Sequence, residues 1–332
     1  MSANLIERVL KTIRNYDMLK SGDGVVAAVS GGPDSVFMLY ALDSLKRKLG
    51  IKRISVCNLD HGLRGDESKE DSRFVRILSK KLGLDFFHKR LKLREKKPVK
   101  LSTEEFARAC RYEFFKEIAA KTGANTIATG HTLDDHAETI IMRFIKGSSL
   151  KGMAGISPVR GDGKLRVIRP VIELEKEEIA RYLDGNIIAY KVDRTNLEPI
   201  YFRNVVRSEI VPFLEKYNPR LKRVLFNLAE HVREDFKFIE DEKRRCQKEM
   251  SLGRRYPPEV RIKDIAVQPK AIQKEILRDL LEKAGGEVKK LSFRHWKEME
   301  ALIKRKRRGS AVHLPGGIEV TRTERSLTFT PI

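Results

Sequence analysis

The stretch Val25-Val-Ala-Ala-Val29, followed at once by Ser30-Gly-Gly-Pro-Asp-Ser35, decides how the chain is read. Five small or β-branched apolar residues predict a strand covered on both faces. The two glycines allow a tight reversal and a close backbone approach. Pro33 suits the first turn of a helix, where its missing N–H costs nothing, and Val36-Phe-Met-Leu-Tyr40 carries that helix onward. Strand, glycine turn and helix N-terminus together form a nest of backbone N–H groups under a positive dipole, which is a site for an anion.

The side chains narrow the kind of anion. A Walker-type loop sets a lysine after its glycines, and no Gly-x-x-x-x-Gly-Lys occurs in this chain. The loop offers instead two hydroxyls, Ser30 and Ser35, and one acid, Asp34. A carboxylate beside a polyphosphate repels it unless a cation lies between them, and Mg²⁺ held by one or two carboxylates plus phosphate oxygens is the usual arrangement. The plainer alternative is a strand–helix turn in which Asp34 and Ser35 only cap the helix.

Around this centre the apolar pattern alternates. Leu5, Ile6, Val9, Leu10 and Ile13 repeat at helical spacing and predict a lead-in helix. Strands are expected at 54–59, 86–91 and 126–129, with helices from about 66 to 82 and through 120. Ser102 and Glu105 are spaced as a capping box for the latter. Such alternation predicts an α/β fold with a doubly wound, mostly parallel sheet. Ligands of such sheets bind beyond the carboxyl ends of the strands, so Ser30, Asp60-His61 and Gly130-His131 are expected to converge on one crevice. The basic stretch 92–100 reads as a surface loop.

A second motif is Thr129-Gly-His-Thr-Leu-Asp-Asp-His-Ala-Glu-Thr139. Thr132 can cap a helix with Asp135 three residues on. Asp134 and Glu138 then share a helix face at i,i+4, a like-charge pair that destabilises a helix by a few tenths of a kcal/mol. The pairing makes sense if Mg²⁺ or a lysine ammonium binds near it. A solvated acidic first turn is the alternative. His131 and His136 are poorly spaced for zinc and no thiolate is near. On the preceding helix, Arg108 and Arg111 are i,i+3 neighbours, and a surface ion pair with Glu104 or Glu105 is the favoured reading of Arg108.

Composition sets the limits. The 332 residues hold 68 Lys+Arg against 46 Asp+Glu, a net charge of +22, which predicts a polyanionic partner. Three cysteines without Cys-x-x-Cys spacing make neither a disulfide framework nor a zinc site. Neither a signal peptide nor an apolar run of membrane-spanning length is seen, so no membrane partner and a cytoplasmic enzyme are expected.

The loop Ser30-Gly-Gly-Pro-Asp-Ser35 resembles the PP-loop of the N-type ATP pyrophosphatases, whose sheet is adenine nucleotide alpha hydrolase-like. Two later motifs resemble the tRNA(Ile)-lysidine synthetases. One is Gly130 to Thr139, where that family more often reads Gly-His-His-x-Asp-Asp-Gln-x-Glu-Thr; Thr132 and His136 depart from it. The other is Asp193-Arg-Thr-Asn-Leu-Glu-Pro-Ile-Tyr-Phe-Arg-Asn-Val-Val-Arg207.

The resemblance implies an ATP-dependent carbon–nitrogen ligase that joins L-lysine to carbon 2 of the wobble cytidine of an isoleucine tRNA, through an adenylated base. It implies ATP binding by Ser30, Gly31, Gly32, Pro33, Asp34, Ser35, Asp60, His61, Gly130 and His131, with Mg²⁺ on Asp34, Asp134 and Asp135. Asp34, Asp134, Glu138 and Arg111 are the implied catalytic set. Arg203, Asn204 and Arg207, with Lys304, Arg305, Arg307 and Arg308, are the implied tRNA contacts. Sulfur-inserting PP-loop enzymes are the competing class, and those acting on cytidine need the paired cysteines this chain lacks.

A boundary near Tyr217-Asn-Pro219 divides a catalytic domain, 1–216, from a smaller basic, mainly helical tRNA-binding domain, 217–332. The latter holds 28 Lys+Arg and 17 Asp+Glu, net +11. Helices are expected at 221–250, 269–284 and 293–308, then a turn at 314–318 and a short hairpin over 319–329. A homodimer is one arrangement this sequence permits.

Overall fold

The computed structural model describes residues 2–60, 66–91, 103–191, 202–252, 256–304 and 307–332. His61, the stretch 92–100, Ser102 of the expected capping box, the Asp193 end of the third motif and Arg305 lie outside the described residues. Two compact units emerge, residues 1–230 and 231–332.

The first unit opens with helix α1 (Ser2–Asn15), then β1 (Gly24–Ala28), α2 (Pro33–Leu45), β2 (Arg53–Asp60), α3 (Asp66–Lys81) and β3 (Asp85–Arg90). It continues with α4 (Thr103–Thr122), β4 (Thr126–Thr129), α5 (Leu133–Ile145), α6 (Leu150–Met153), β5 (Val159–Asp162), β6 (Leu165–Ile168) and α7 (Lys176–Gly185). Its strands lie in the order β3-β2-β1-β4-β6-β5. All neighbours are parallel except β5, which turns back antiparallel on β6.

The core explains why β1 is apolar throughout. Val25, Ala27 and Val29 pack into one cluster with Phe37, Leu39 and Ile54, whereas Val26 joins Phe115, Ile118 and Ile127 in another. Side chains alternate between faces, so a strand covered on both sides must be apolar at every position. Connections from β1 run to β2 on one side and β4 lies on the other, which makes the gap between β1 and β4 the switch point of the sheet. Ala28 is level with Cys57 of β2 and with Thr129 of β4, so the loops after these strands open at one height.

Two elements differ from the sequence reading. Strand β6 ends at Ile168 and forms a hairpin with β5, an antiparallel edge that apolar alternation did not mark. Arg203 and Arg207 lie on a helical stretch that a π turn interrupts, as α8 (Phe202–Val205), the π turn (Val206–Ile210) and α9 (Val211–Glu215).

Helix α10 (Leu221–Glu249) begins just after Asn218-Pro219, as expected, but the packing divides later, at Glu230. Phe226 belongs to the first unit's core and Cys246 to the second's. The proline sets where the helix starts; burial sets where the units part.

The second unit adds β7 (Glu259–Arg261), α11 (Ile262–Ala266), α12 (Lys270–Lys283), α13 (Phe293–Lys304), β8 (Ala311–Leu314), β9 (Ile318–Arg322) and β10 (Ser326–Pro331). The expected hairpin is β9–β10, and β8 and β7 extend it to a four-stranded antiparallel sheet in the order β7-β10-β9-β8. This unit is mainly helical, as expected, with a four-stranded antiparallel sheet where the sequence reading marked only a hairpin. Ile276, Leu280, Leu302, Val320 and Phe329 fill its core.

Phe37, fully buried and edge-on to Tyr182 at 5.0 Å between ring centroids, ties α2 to α7. Phe37→Ala is expected to cost the first unit about 3–5 kcal/mol, read as a lower urea midpoint of its unfolding transition.

Candidate functional site

The loop after β1 is braced by its own hydroxyls. Ser35 donates to the Gly32 carbonyl at 2.9 Å and receives the Ser30 amide at 3.2 Å, and the two hydroxyls lie 3.2 Å apart. Gly31 has φ +98°, a conformation that disfavours a side chain. Gly130, at the end of β4, approaches the loop so closely that a Cβ there would sit 3.0 Å from Ser35 Cα and N. A side chain there would force the loop backbone to shift by a few tenths of an ångström.

Asp34, in the first turn of α2, has a buried Oδ1 without a hydrogen-bond partner. Burial pushes its carboxyl up to about 7; Lys176 opposes this, and Asp135 and Asp134 add to it. A buried carboxylate oxygen left unpaired is costly unless a cation meets it.

The capping box of α5 is present as expected: Asp135 takes the Thr132 amide at 3.0 Å and the Thr132 side chain accepts the Asp135 N–H. Beside it, the Lys176 ammonium lies 2.8 Å from Asp135 Oδ1 and 3.8 Å from Glu138 Oε1. Burial favours the neutral Asp135, yet Lys176, together with His131 and the Thr132 N–H, holds that carboxyl well below the usual range. Asp134 accepts the Lys176 amide at 2.9 Å and pairs with Lys222 at 2.9 Å.

Glu138, its side chain 2 % exposed, is gripped by Arg207 through Nε at 2.7 Å and Nη2 at 3.1 Å. Such a forked pair is geometrically selective and strong. Arg203 lies 3.6 Å from Glu138 and donates to the Thr139 hydroxyl at 3.0 Å. The structure therefore brings Asp34, Asp134, Asp135, Glu138, Arg203 and Arg207 together, but the last two face carboxylates. Asp134, Asp135 and Glu138 already hold cations, and among the described residues no group of three or more His, Cys, Asp or Glu could hold a metal.

His131 bonds Thr129 through Nδ1 at 2.9 Å, and burial, abetted by Arg169, Arg108 and Arg203, pushes it down to about 4, so it is neutral. His136, fully buried, meets the Ile156 backbone and tilts against Phe226, 5.0 Å between centroids. Its departure from the family motif serves packing. Asp60 is buried at the end of β2, 3.3 Å from Arg90. Arg111 is half-buried on α4, and Asn204 half-buried on α8. Arg108 lies over the Tyr112 ring at 5.2 Å. In the second unit, Lys304 pairs with Glu300 at 3.0 Å, and Arg307 and Arg308 are exposed.

Lys176, Lys222 and Arg169 were not singled out from the sequence. A lysine at a helix start and an arginine after a strand carry no spacing signal; only the fold brings them to the crevice.

Ionisation of Asp34 generates a pH test. Below about pH 4 the carboxyl is neutral in the folded and unfolded chain alike. Between there and about pH 7 the unfolded chain ionises first, so stability falls as pH rises through that window and the loss is constant beyond it. Asp34→Asn abolishes this titration. Its gain in stability over the unmodified chain is expected to grow from pH 4.5 to pH 8 in urea denaturation, whereas an equal gain at both would exclude Asp34 as the source.

Comparison with known proteins agrees with this architecture. A family model described as a PP-loop domain matches residues 1–214, and one described as the TilS substrate binding domain matches 261–327. The tRNA(Ile)-lysidine synthase of Clostridioides difficile is 32 % identical over 98 % of this chain and 70 % of its own length. That of Geobacter sulfurreducens is 32 % identical over 98 % and 69 %. Among solved structures, the U34-tRNA thiolase NcsA from Methanococcus maripaludis, solved with its 4Fe-4S cluster, superposes with a TM-score of 0.58 at 19 % identity, covering 70 % of this chain and 80 % of that one, a likeness of fold. With a PP-loop braced as described, an acidic helix start beside it and relatives matched across nearly its whole length, the chain belongs to the tRNA(Ile)-lysidine synthase family.

Proposed function

We propose that the protein joins L-lysine to carbon 2 of the wobble cytidine of an isoleucine tRNA at the expense of ATP. The observation that carries this reading is the PP-loop with its buried, unpartnered Asp34 oxygen beside an acidic helix start. The amide-like carbonyl at carbon 2 of cytosine has no adequate leaving group. Its oxygen therefore attacks the α-phosphate of ATP, and pyrophosphate departs. The lysine ε-amine then attacks carbon 2, and that oxygen leaves with AMP.

The chain's own groups suit these steps. The loop N–H groups with Ser30 and Ser35 hold the departing pyrophosphate, an electrostatic role worth about 3–4 kcal/mol per well-placed donor. Asp34, whose buried Oδ1 has no hydrogen-bond partner among the described residues, would hold Mg²⁺ beside the nucleotide phosphates. Bound there, the metal offsets charge developing on the phosphates.

Asp134 and Glu138 compete to receive the substrate ammonium and take its proton, since only the neutral amine is a nucleophile. Asp134 is the better placed, its side chain 17 % exposed against 2 % for Glu138, and a lysine rather than a forked arginine is what must yield. Glu138 instead anchors Arg207. The tRNA contacts fall to the basic second unit, with Lys304, Arg307 and Arg308, and a cytoplasmic setting follows from the substrates.

The test supplies ATP, radiolabelled lysine and tRNA and follows label into RNA, omitting each component in turn. Asp34→Ala is expected to lose RNA-dependent pyrophosphate release while keeping tRNA affinity. Undiminished release would remove Asp34 from the metal site, and failure of label to enter RNA with all components present would overturn the ligase reading.

A further inference from the structure

Three guanidinium groups from three separate elements converge on one phenol ring. Arg108, one turn before Tyr112 on α4, lies with Cζ 5.2 Å from the ring centroid. Arg160, on β5, lies at 4.9 Å. Arg169, just past the end of β6, donates to the Ser157 carbonyl and interacts electrostatically with the Tyr112 side chain. Arg169 is 3 % exposed, and its Nε has no hydrogen-bond partner.

That arrangement is unfavourable for the protein alone. A buried guanidinium ordinarily requires a carboxylate, and taking an unpaired charge out of water costs several kcal/mol. Among the described residues Arg169 has no carboxylate within ion-pair distance. Burial first, then the neighbouring Arg160 and Arg108, push it down to about 10, with Tyr112 opposing. Arg169 and Arg108 also bear on His131 at the end of β4. The buried Arg169 charge is offset by an arriving anion, and forked donors favour phosphate oxygens. The cluster sits at the β4–β6–β5 end of the sheet, and β6 is two strands from β1, a separation of about 10 Å. The phosphate it takes is therefore distinct from the pyrophosphate cradled by the loop.

We propose that Arg108, Arg160 and Arg169, gathered around Tyr112, form a second phosphate-binding site, which holds a backbone phosphate of the RNA beside the reacting nucleotide. This deepens the reading above and depends on it for the identity of the RNA. Tyr112 fixes the guanidinium planes, Arg169 supplies a pre-ordered buried donor, and Arg108 and Arg160, both exposed, close over the phosphate from solvent.

The experiment uses the full chain with two probes, Mg·ATP and an anticodon stem-loop RNA bearing the cytidine, each titrated across a range of salt. Arg108→Gln and Arg160→Gln change exposed positions, so folding is spared; Arg108→Lys tests charge against fork. Each glutamine variant is expected to weaken stem-loop binding several-fold and to reduce its log–log salt slope by about 0.7, one single-strand phosphate contact, with Mg·ATP affinity unchanged. Arg108→Lys is expected to restore the slope and only part of the affinity.

Loss of Mg·ATP affinity with unchanged RNA binding would keep the phosphate site but assign it to the nucleotide, overturning the RNA assignment. Unchanged binding of both probes, or a raised KM for lysine alone, would overturn the site itself. Normal RNA binding by the unmodified chain without lysine incorporation would instead sink the ligase reading and leave this site standing.

Discussion

Asp34, Asp134, Asp135 and Glu138 reach one crevice from two helix starts, and four carboxylates gathered so closely stand only because cations are packed among them. Lys176 serves Asp135 and Glu138, Lys222 serves Asp134, and Arg207 clasps Glu138 with both arms of its fork. Each cation comes from a different later element, α7, α10 or the π turn, so the crevice is assembled only when these segments close on the sheet. Asp34 is the member left with an oxygen unsatisfied. Structural neutrality of the others is what makes that oxygen conspicuous.

The loop itself meets a different constraint. A lysine-free phosphate cradle relies on backbone N–H groups, and these must be held still to act without reorganisation. Ser30 and Ser35 bond each other and the loop backbone. The end of β4 presses on Ser35 through Gly130. The switch point between β1 and β4 thus supplies both the opening and its rigid floor.

Beside this balanced cluster, the arginines around Tyr112 form its electrical opposite. Acids with resident cations line one part of the crevice, and the arginines around Tyr112 line another. The division suits a reaction that must seat an ammonium and polyanions within one crevice, since each ligand meets its complement and is turned away by the neighbouring field.

Much of this was legible in the residues themselves. The β1–loop–α2 unit, the capping box at Thr132 and Asp135, the start of α10 after Pro219 and the β9–β10 hairpin are local, set by apolar period, turn chemistry and caps acting over a few residues. The partners of the motif acids were not. Lys176 and Lys222 lie 42 and 88 residues beyond Asp134 in sequence, and nothing in their own neighbourhoods marks them.

Arg203 and Arg207, read as phosphate contacts, turned inward to acids because burial of Glu138 demanded a partner. The second unit's full sheet and the division at Glu230 were likewise decided by burial. Sequence alone determined which segments fold and which acids stand at the helix starts, because those choices are made within a turn or two. Tertiary structure decided which cation meets each acid and which oxygen stays open, because charges find one another across the fold through space.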